Sequence, residues 1–98
     1  MMTTKILERT IKDAVRKRLK EIEAYYFFPV PMGLGETTLD ILVCVKGRFV
    51  AIECKRPGGK PTQLQLITIE RIIKAGGLVY VVDNLEAVDR MVTELRKL

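Results

Sequence analysis

Two apolar runs, Leu39–Val45 and Arg48–Lys55, are joined by the dipeptide Lys46-Gly47. A two-residue connection with glycine second predicts a tight β-hairpin, and the turn then fixes the register of both strands. Val45 faces Arg48, Val43 faces Val50, Ile41 faces Ile52 and Asp40 faces Glu53. Side chains alternate along a strand, so Asp40, Glu53 and Lys55 share one face. Opposed residues have Cβ atoms about 4.5–5.5 Å apart, and two carboxylates so placed destabilise a sheet unless a cation sits between them. The bland alternative is that Asp40 merely begins a strand while Glu53 and Lys55 form an exposed ion pair. The same register places Cys44 and Cys54 on opposite faces, too far apart for a disulfide. Both read as buried, reduced core residues.

The chain contains no histidine and only these two cysteines. Histidine general-base chemistry and histidine- or thiolate-based zinc sites are therefore excluded. A metal here is held by oxygen, which points to magnesium, manganese or calcium. Two carboxylates beside an ammonium suit phosphodiester hydrolysis. The carboxylates hold a divalent cation, and the lysine stabilises charge developing at phosphorus or orients the attacking water.

At 98 residues the expectation is a single domain spanning 1–98 with one core. No apolar run reaches the roughly 18–20 residues of a membrane span. The charged opening MMTTKILERTIKD lacks a signal-peptide core, so a soluble cytoplasmic protein is expected. The net charge is +5, and residues 1–20 hold seven Lys or Arg against Glu8 and Asp13. That excess suits a polyanionic partner, although a basic stripe is also compatible with a merely solvated face.

Residues 5–23 read as an amphipathic helix. Leu7, Ile11, Val15, Leu19 and Ile22 form the apolar face, and Lys5, Arg9, Lys12, Arg16 and Lys20 form a basic stripe. Glu8 lies at their border, where it can also pair with Lys12 one turn on. Arg18 falls anomalously within the apolar face. Tyr25–Val30 reads as a strand ending at a proline, and PMGLGETT as a loop. Thr62 and Gln65 make a capping box that opens a helix running to about Lys74 and stopped by Gly76-Gly77. Leu78–Val82 is a short buried strand. Asp83-Asn84 caps a last helix with Val88, Met91, Val92 and Leu95 inward. The order is α-β-β-β-α-β-α, an α/β chain whose central mixed sheet is covered by helices. The second helix is apolar nearly all round, which implies burial against a second copy. Gly58-Gly59-Lys60-Pro61-Thr62 is not a phosphate-binding loop, because Pro61 interrupts the Lys–Thr step.

Asp40, twelve residues, then Glu53-Cys54-Lys55 resembles the D…ExK signature of PD-(D/E)xK nucleases. More narrowly, the order resembles the virus-type replication-repair nuclease (VRR-NUC) domain. The likeness adds Glu8 on the first helix, Gly33 and Gly35 before Asp40, Gln65 opening the second helix, and Gly76. It departs where Leu39 precedes the aspartate, a position often proline, and where Cys54 replaces an aliphatic residue; Glu36 is a competing acid.

The resemblance implies a restriction-endonuclease-like fold, dependence on Mg²⁺ or Mn²⁺, and DNA cleavage. It makes Asp40 and Glu53 metal ligands, joined by Glu8 and the backbone carbonyl of Cys54. Lys55 becomes the catalytic lysine, and Gln65 points into the site. Gln65 would serve either there or in its capping box, since one side chain is not expected to fill both roles. DNA would track Lys5, Arg9, Lys12 and Arg16, with Arg56 and Lys60 near the scissile phosphate. A homodimer acting on branched DNA such as a Holliday junction is implied, without a nucleotide cofactor. The alternative is a nucleic-acid-binding module that does not cut, or a small subunit of a repair complex.

Overall fold

The computed structural model of the chain describes residues 6–30 and 37–98. Lys5, Gly33, Gly35 and Glu36 lie outside the described residues. The elements follow the expected order: α1 (Glu8–Glu21), β1 (Tyr25–Phe27), β2 (Ile41–Val45), β3 (Arg48–Cys54), α2 (Gln63–Lys74), β4 (Leu78–Val82) and α3 (Leu85–Arg96). The strands lie in the order β1-β2-β3-β4. The first two pairings are antiparallel and β3–β4 is parallel, with α2 as the crossover. The α/β architecture with a helix-flanked mixed sheet is as the sequence predicts.

The hairpin forms in the expected register: Ile41 pairs with Ile52, Val43 with Val50 and Val45 with Arg48. Its two loop residues both take left-handed backbone, Lys46 at φ 51° and Gly47 at φ 76°, as a type I′ turn requires. Lys46 tolerates this strain while its ammonium donates to the carbonyl oxygens of Arg96 and Leu98.

One sheet face is closed by α1 and α3. Ile11, Val15 and Leu19 of α1 and Val88, Met91, Val92 and Leu95 of α3 pack on Ile41, Val43, Val45, Val50, Ile52 and Val82. Burying branched aliphatics on this scale supplies most of the driving force, at about 25 cal/mol per Å² of apolar surface. Arg18 is explained here. Its guanidinium reaches across the α1–α3 seam to Asp89 and also bonds Glu21 at 2.9 Å, so its charge is paired at the edge of the core.

The other face is covered by α2 alone, and incompletely. Thr68 is the buried residue of that helix, while Leu64, Leu66, Ile67 and Ile73 remain exposed. Tyr25, Phe27 and Phe49 on the same face of the sheet are exposed as well. This corrects the expectation for Cys44, which is exposed, whereas Cys54 is fully buried. Cys44 pairs with Tyr25 and Phe49 on the open face, and one helix cannot roof four strands. The strand β4 is likewise only half-buried, with Val81 exposed.

Several boundaries are shorter than the sequence predicts. Helix α1 begins after Leu7, which is exposed as its N-cap, and ends before Glu23, whose φ of 55° turns the chain. Strand β1 stops at Phe27, two residues before Pro29. At the C-terminus of α2, Gly76 N–H donates to Ile73 O (3.0 Å) and Gly77 N–H to Ile72 O (2.9 Å), a Schellman motif with Gly76 at φ 97°. Because Gly47 occupies a left-handed position, Gly47→Ala should cost about 1–2 kcal/mol of stability in urea-induced unfolding. A smaller loss would mean that the turn is not under backbone strain.

Candidate active site

At the open end of the hairpin the ladder stops at Ile41–Ile52, and the next residues outward are Asp40 and Glu53. Side chains replace the ladder hydrogen bonds there. Asp40 N–H donates to Glu53 Oε1 (3.3 Å), and Cys54 N–H donates to Asp40 Oδ2 (2.8 Å). The two carboxylates are thus held against the two strands that carry them. Lys55 extends from the end of β3, with its ammonium 3.4 Å from Glu53 Oε2.

Glu53 is only 2% exposed, a costly position for an anion. Burial raises its pKa to about 7 and the Asp40 charge adds to the shift, while Lys55 and the Asp40 N–H oppose it. Glu53 is therefore poised to be neutral or charged near pH 7 according to what cation faces it. Burial also pushes the Cys54 thiol up to about 12, with Asp40 adding to the shift, so its sulfur is no thiolate ligand near neutrality.

Gln65 corrects the expectation that its two roles exclude each other. Its Oε1 accepts from Thr62 N–H (2.9 Å), and its own N–H donates to Thr62 Oγ1 (3.2 Å), completing the capping box. Its Nε2 simultaneously donates to Glu53 Oε2 at 2.7 Å. A carboxamide has two ends of opposite hydrogen-bonding character, and each is used.

From the other sheet face, α1 brings Glu8 and Lys12. Their i,i+4 spacing gives an ion pair of 3.3 Å, and the same ammonium lies 3.6 Å from Asp40 Oδ1. Burial disfavours the Lys12 charge, yet Asp40 and Glu8 outweigh it and its pKa is raised. Sequence reasoning placed Lys12 in the basic stripe and missed this bridge; only the Glu8–Lys12 spacing hinted at it. Among the described residues, no three acidic or thiol side chains form a ready metal cluster. Glu8 is near the site by way of Lys12.

The other basic residues are dispersed. Arg16 lies over the Phe28 ring at 4.4 Å and pairs with Asp13 at 3.5 Å. Arg9, Arg56 and Lys60 are exposed.

The donor set Asp40, Glu53 and backbone oxygen is hard and fits Mg²⁺ or Mn²⁺, which need only one or two carboxylates. The repulsion from Asp40, which adds to burial in raising the pKa of Glu53, is what such an ion would relieve.

Comparison with solved structures gives a VRR_NUC domain, at TM-score 0.77 and 24% identity, covering 88% of this chain and 94% of that one. This chain shares its fold with a VRR_NUC domain. No protein-family model and no curated protein matches it. The likeness is one of fold, and the arrangement around Asp40 and Glu53 is described here on its own geometry.

Because the folded pKa of Glu53 (about 7) lies above its ordinary 4.5, folding favours the protonated acid. The stability this contributes is fully present below pH 4.5 and is lost as pH rises through 7, a change on the order of 3 kcal/mol. Thermal melts from pH 4 to 8 without divalent ions should show this fall, and Glu53→Gln should flatten it. Gln65→Glu keeps the acceptor for Thr62 N–H but sets a second acid against Glu53. Its melting temperature should approach the native value at pH 4 and fall further below it at pH 8.

Proposed function

We propose that the chain is a divalent-metal-dependent DNA endonuclease acting on structured DNA, with Holliday junctions as a candidate substrate. The observation that carries this reading is the clamping of Asp40 and Glu53 together, with Lys55 beside them and Gln65 bonded to Glu53. The VRR_NUC-like fold supports it.

In this reading Asp40 and Glu53, with Glu8 and the carbonyl of Cys54, hold Mg²⁺ or Mn²⁺. When bound, the cation polarises the phosphate and lowers the pKa of a water. The protein's own groups do the rest. Cys54 N–H and Gln65 Nε2 fix the two acids, so the site needs no reorganisation when charge develops. Lys55 stabilises the extra negative charge at phosphorus or orients the attacking water. The water oxygen bonds to phosphorus and gives up one proton, the bond to one sugar oxygen breaks, and that oxygen takes up a proton, leaving a phosphate monoester and a sugar hydroxyl.

Arg9, Arg56 and Lys60 are exposed and free to meet the DNA backbone. Lys5, Lys12 and Arg16 belong to the same proposed surface. The exposed Leu64, Leu66, Ile67 and Ile73 of α2 support a homodimer, which would present two cutting sites to a branched substrate. No helix among the described residues is long and apolar enough to cross a membrane.

Junction, flap, nicked and plain duplex DNAs should be compared with Mg²⁺, Mn²⁺ and EDTA. Cleavage should require the metal, and Asp40→Asn and Lys55→Ala should each lower the rate by about 10²-fold or more. Activity surviving both substitutions would remove this site from consideration, and binding without cutting under every condition would favour a non-catalytic module. Light scattering at micromolar concentration should give twice the chain mass.

A further inference from the structure

Glu8 of α1 and Asp40 just before β2 already share a cation. The Lys12 ammonium lies between Glu8 Oε2 (3.3 Å) and Asp40 Oδ1 (3.6 Å). The atom on Asp40 matters, because its other oxygen, Oδ2, is taken by the Cys54 N–H at 2.8 Å. The Asp40 oxygen that carries no backbone hydrogen bond, and so is the more open to a metal, is the one that Lys12 faces. Lys55 does not duplicate this contact, since its ammonium pairs with Glu53 Oε2 on the far carboxylate.

We propose that Lys12 is a built-in competitor of the divalent cation, occupying Asp40 Oδ1 and Glu8 and giving them up when the metal binds. This rests on the reading of Asp40, Glu53 and Glu8 as the metal-holding acids. A monovalent ammonium and a divalent ion cannot both approach one carboxylate oxygen closely, because their repulsion adds to the loss of the ion pair. Lysine suits such a role: its charge is compact and strongly hydrated, and its four-carbon stem lets the head swing to solvent without moving α1. The Lys12 side chain is 32% exposed, about one third, which leaves it that path. Releasing Glu8 from Lys12 in the same step would let the α1 acid join the site. The coupling is reciprocal: the metal loosens Lys12 by the same factor by which Lys12 weakens the metal.

Two measurements test this. In calorimetric titrations with Mn²⁺ alone, Lys12→Met, which keeps the apolar stem and removes the charge, should bind about tenfold more tightly than the native chain. In the native chain, acylation of lysine amines mapped by mass spectrometry should rise several-fold at Lys12 on adding Mn²⁺. Exposed Lys17 should be unchanged, and Asp40→Asn should abolish the Lys12 response. Equal or weaker Mn²⁺ binding by Lys12→Met, or Lys12 labelling unchanged while Mn²⁺ binds, overturns this inference and leaves the nuclease reading standing. Mn²⁺ binding that is absent from both chains, or indifferent to Asp40→Asn, overturns both.

Discussion

The register of the β2–β3 hairpin is the constraint on which the rest depends. Two left-handed residues at Lys46 and Gly47 fix it, and every pair outward from the turn follows. A slip of one residue would exchange the faces of β2, sending Ile41, Val43 and Val45 out of the α1–α3 core and separating Asp40 from Glu53. The apolar packing and the acidic pair thus stand or fall together. The core selects the register that brings the two acids together, even though the acids themselves oppose it electrostatically.

That opposition is answered by four groups of partners. The backbone contributes two N–H groups, from Asp40 and Cys54, at the point where the ladder opens. Helix α2 contributes an amide from the partly covered face, and α1 an ammonium that reaches Asp40 from the core side. Lys55 supplies a second ammonium from β3 itself. The buried Glu53 has its hydrogen bonds made, and no buried side-chain polar atom among the described residues lacks a partner. The site is electrostatically tense and fully hydrogen-bonded, a combination that favours a fixed geometry over the most stable one.

Much of this was legible in the sequence because it is local. The Lys46-Gly47 turn, the Thr62–Gln65 capping box and the Gly76-Gly77 stop each lie within a few residues, and each formed as read. The facing of Asp40 and Glu53 followed from counting outward along a ladder. What escaped was set by which helix lies over which part of the sheet. Alternation assigns Cys44 to a face but does not say that the face lacks a roof. Helical periodicity makes Arg18 an anomaly until α3 brings up Asp89. Lys12 looked like one more member of a basic stripe, because its second partner lies twenty-eight residues away on another element. Gln65 was misjudged differently, by treating an amide as a single-use group.

The doubly bonded Gln65 also ties the first turn of α2 to the acid beneath it. Helix ends ordinarily fray on their own, in openings that cost little and leave the protein otherwise intact. Here the first turn cannot open without breaking the bond from Gln65 Nε2 to Glu53 Oε2, so fraying and loss of that hold on the carboxylate are one event. The backbone amide protons of Thr62 and Gln65 are consequently reporters on the site. Their exchange with solvent measures how often Gln65 lets go of the acid, in a protein standing at equilibrium.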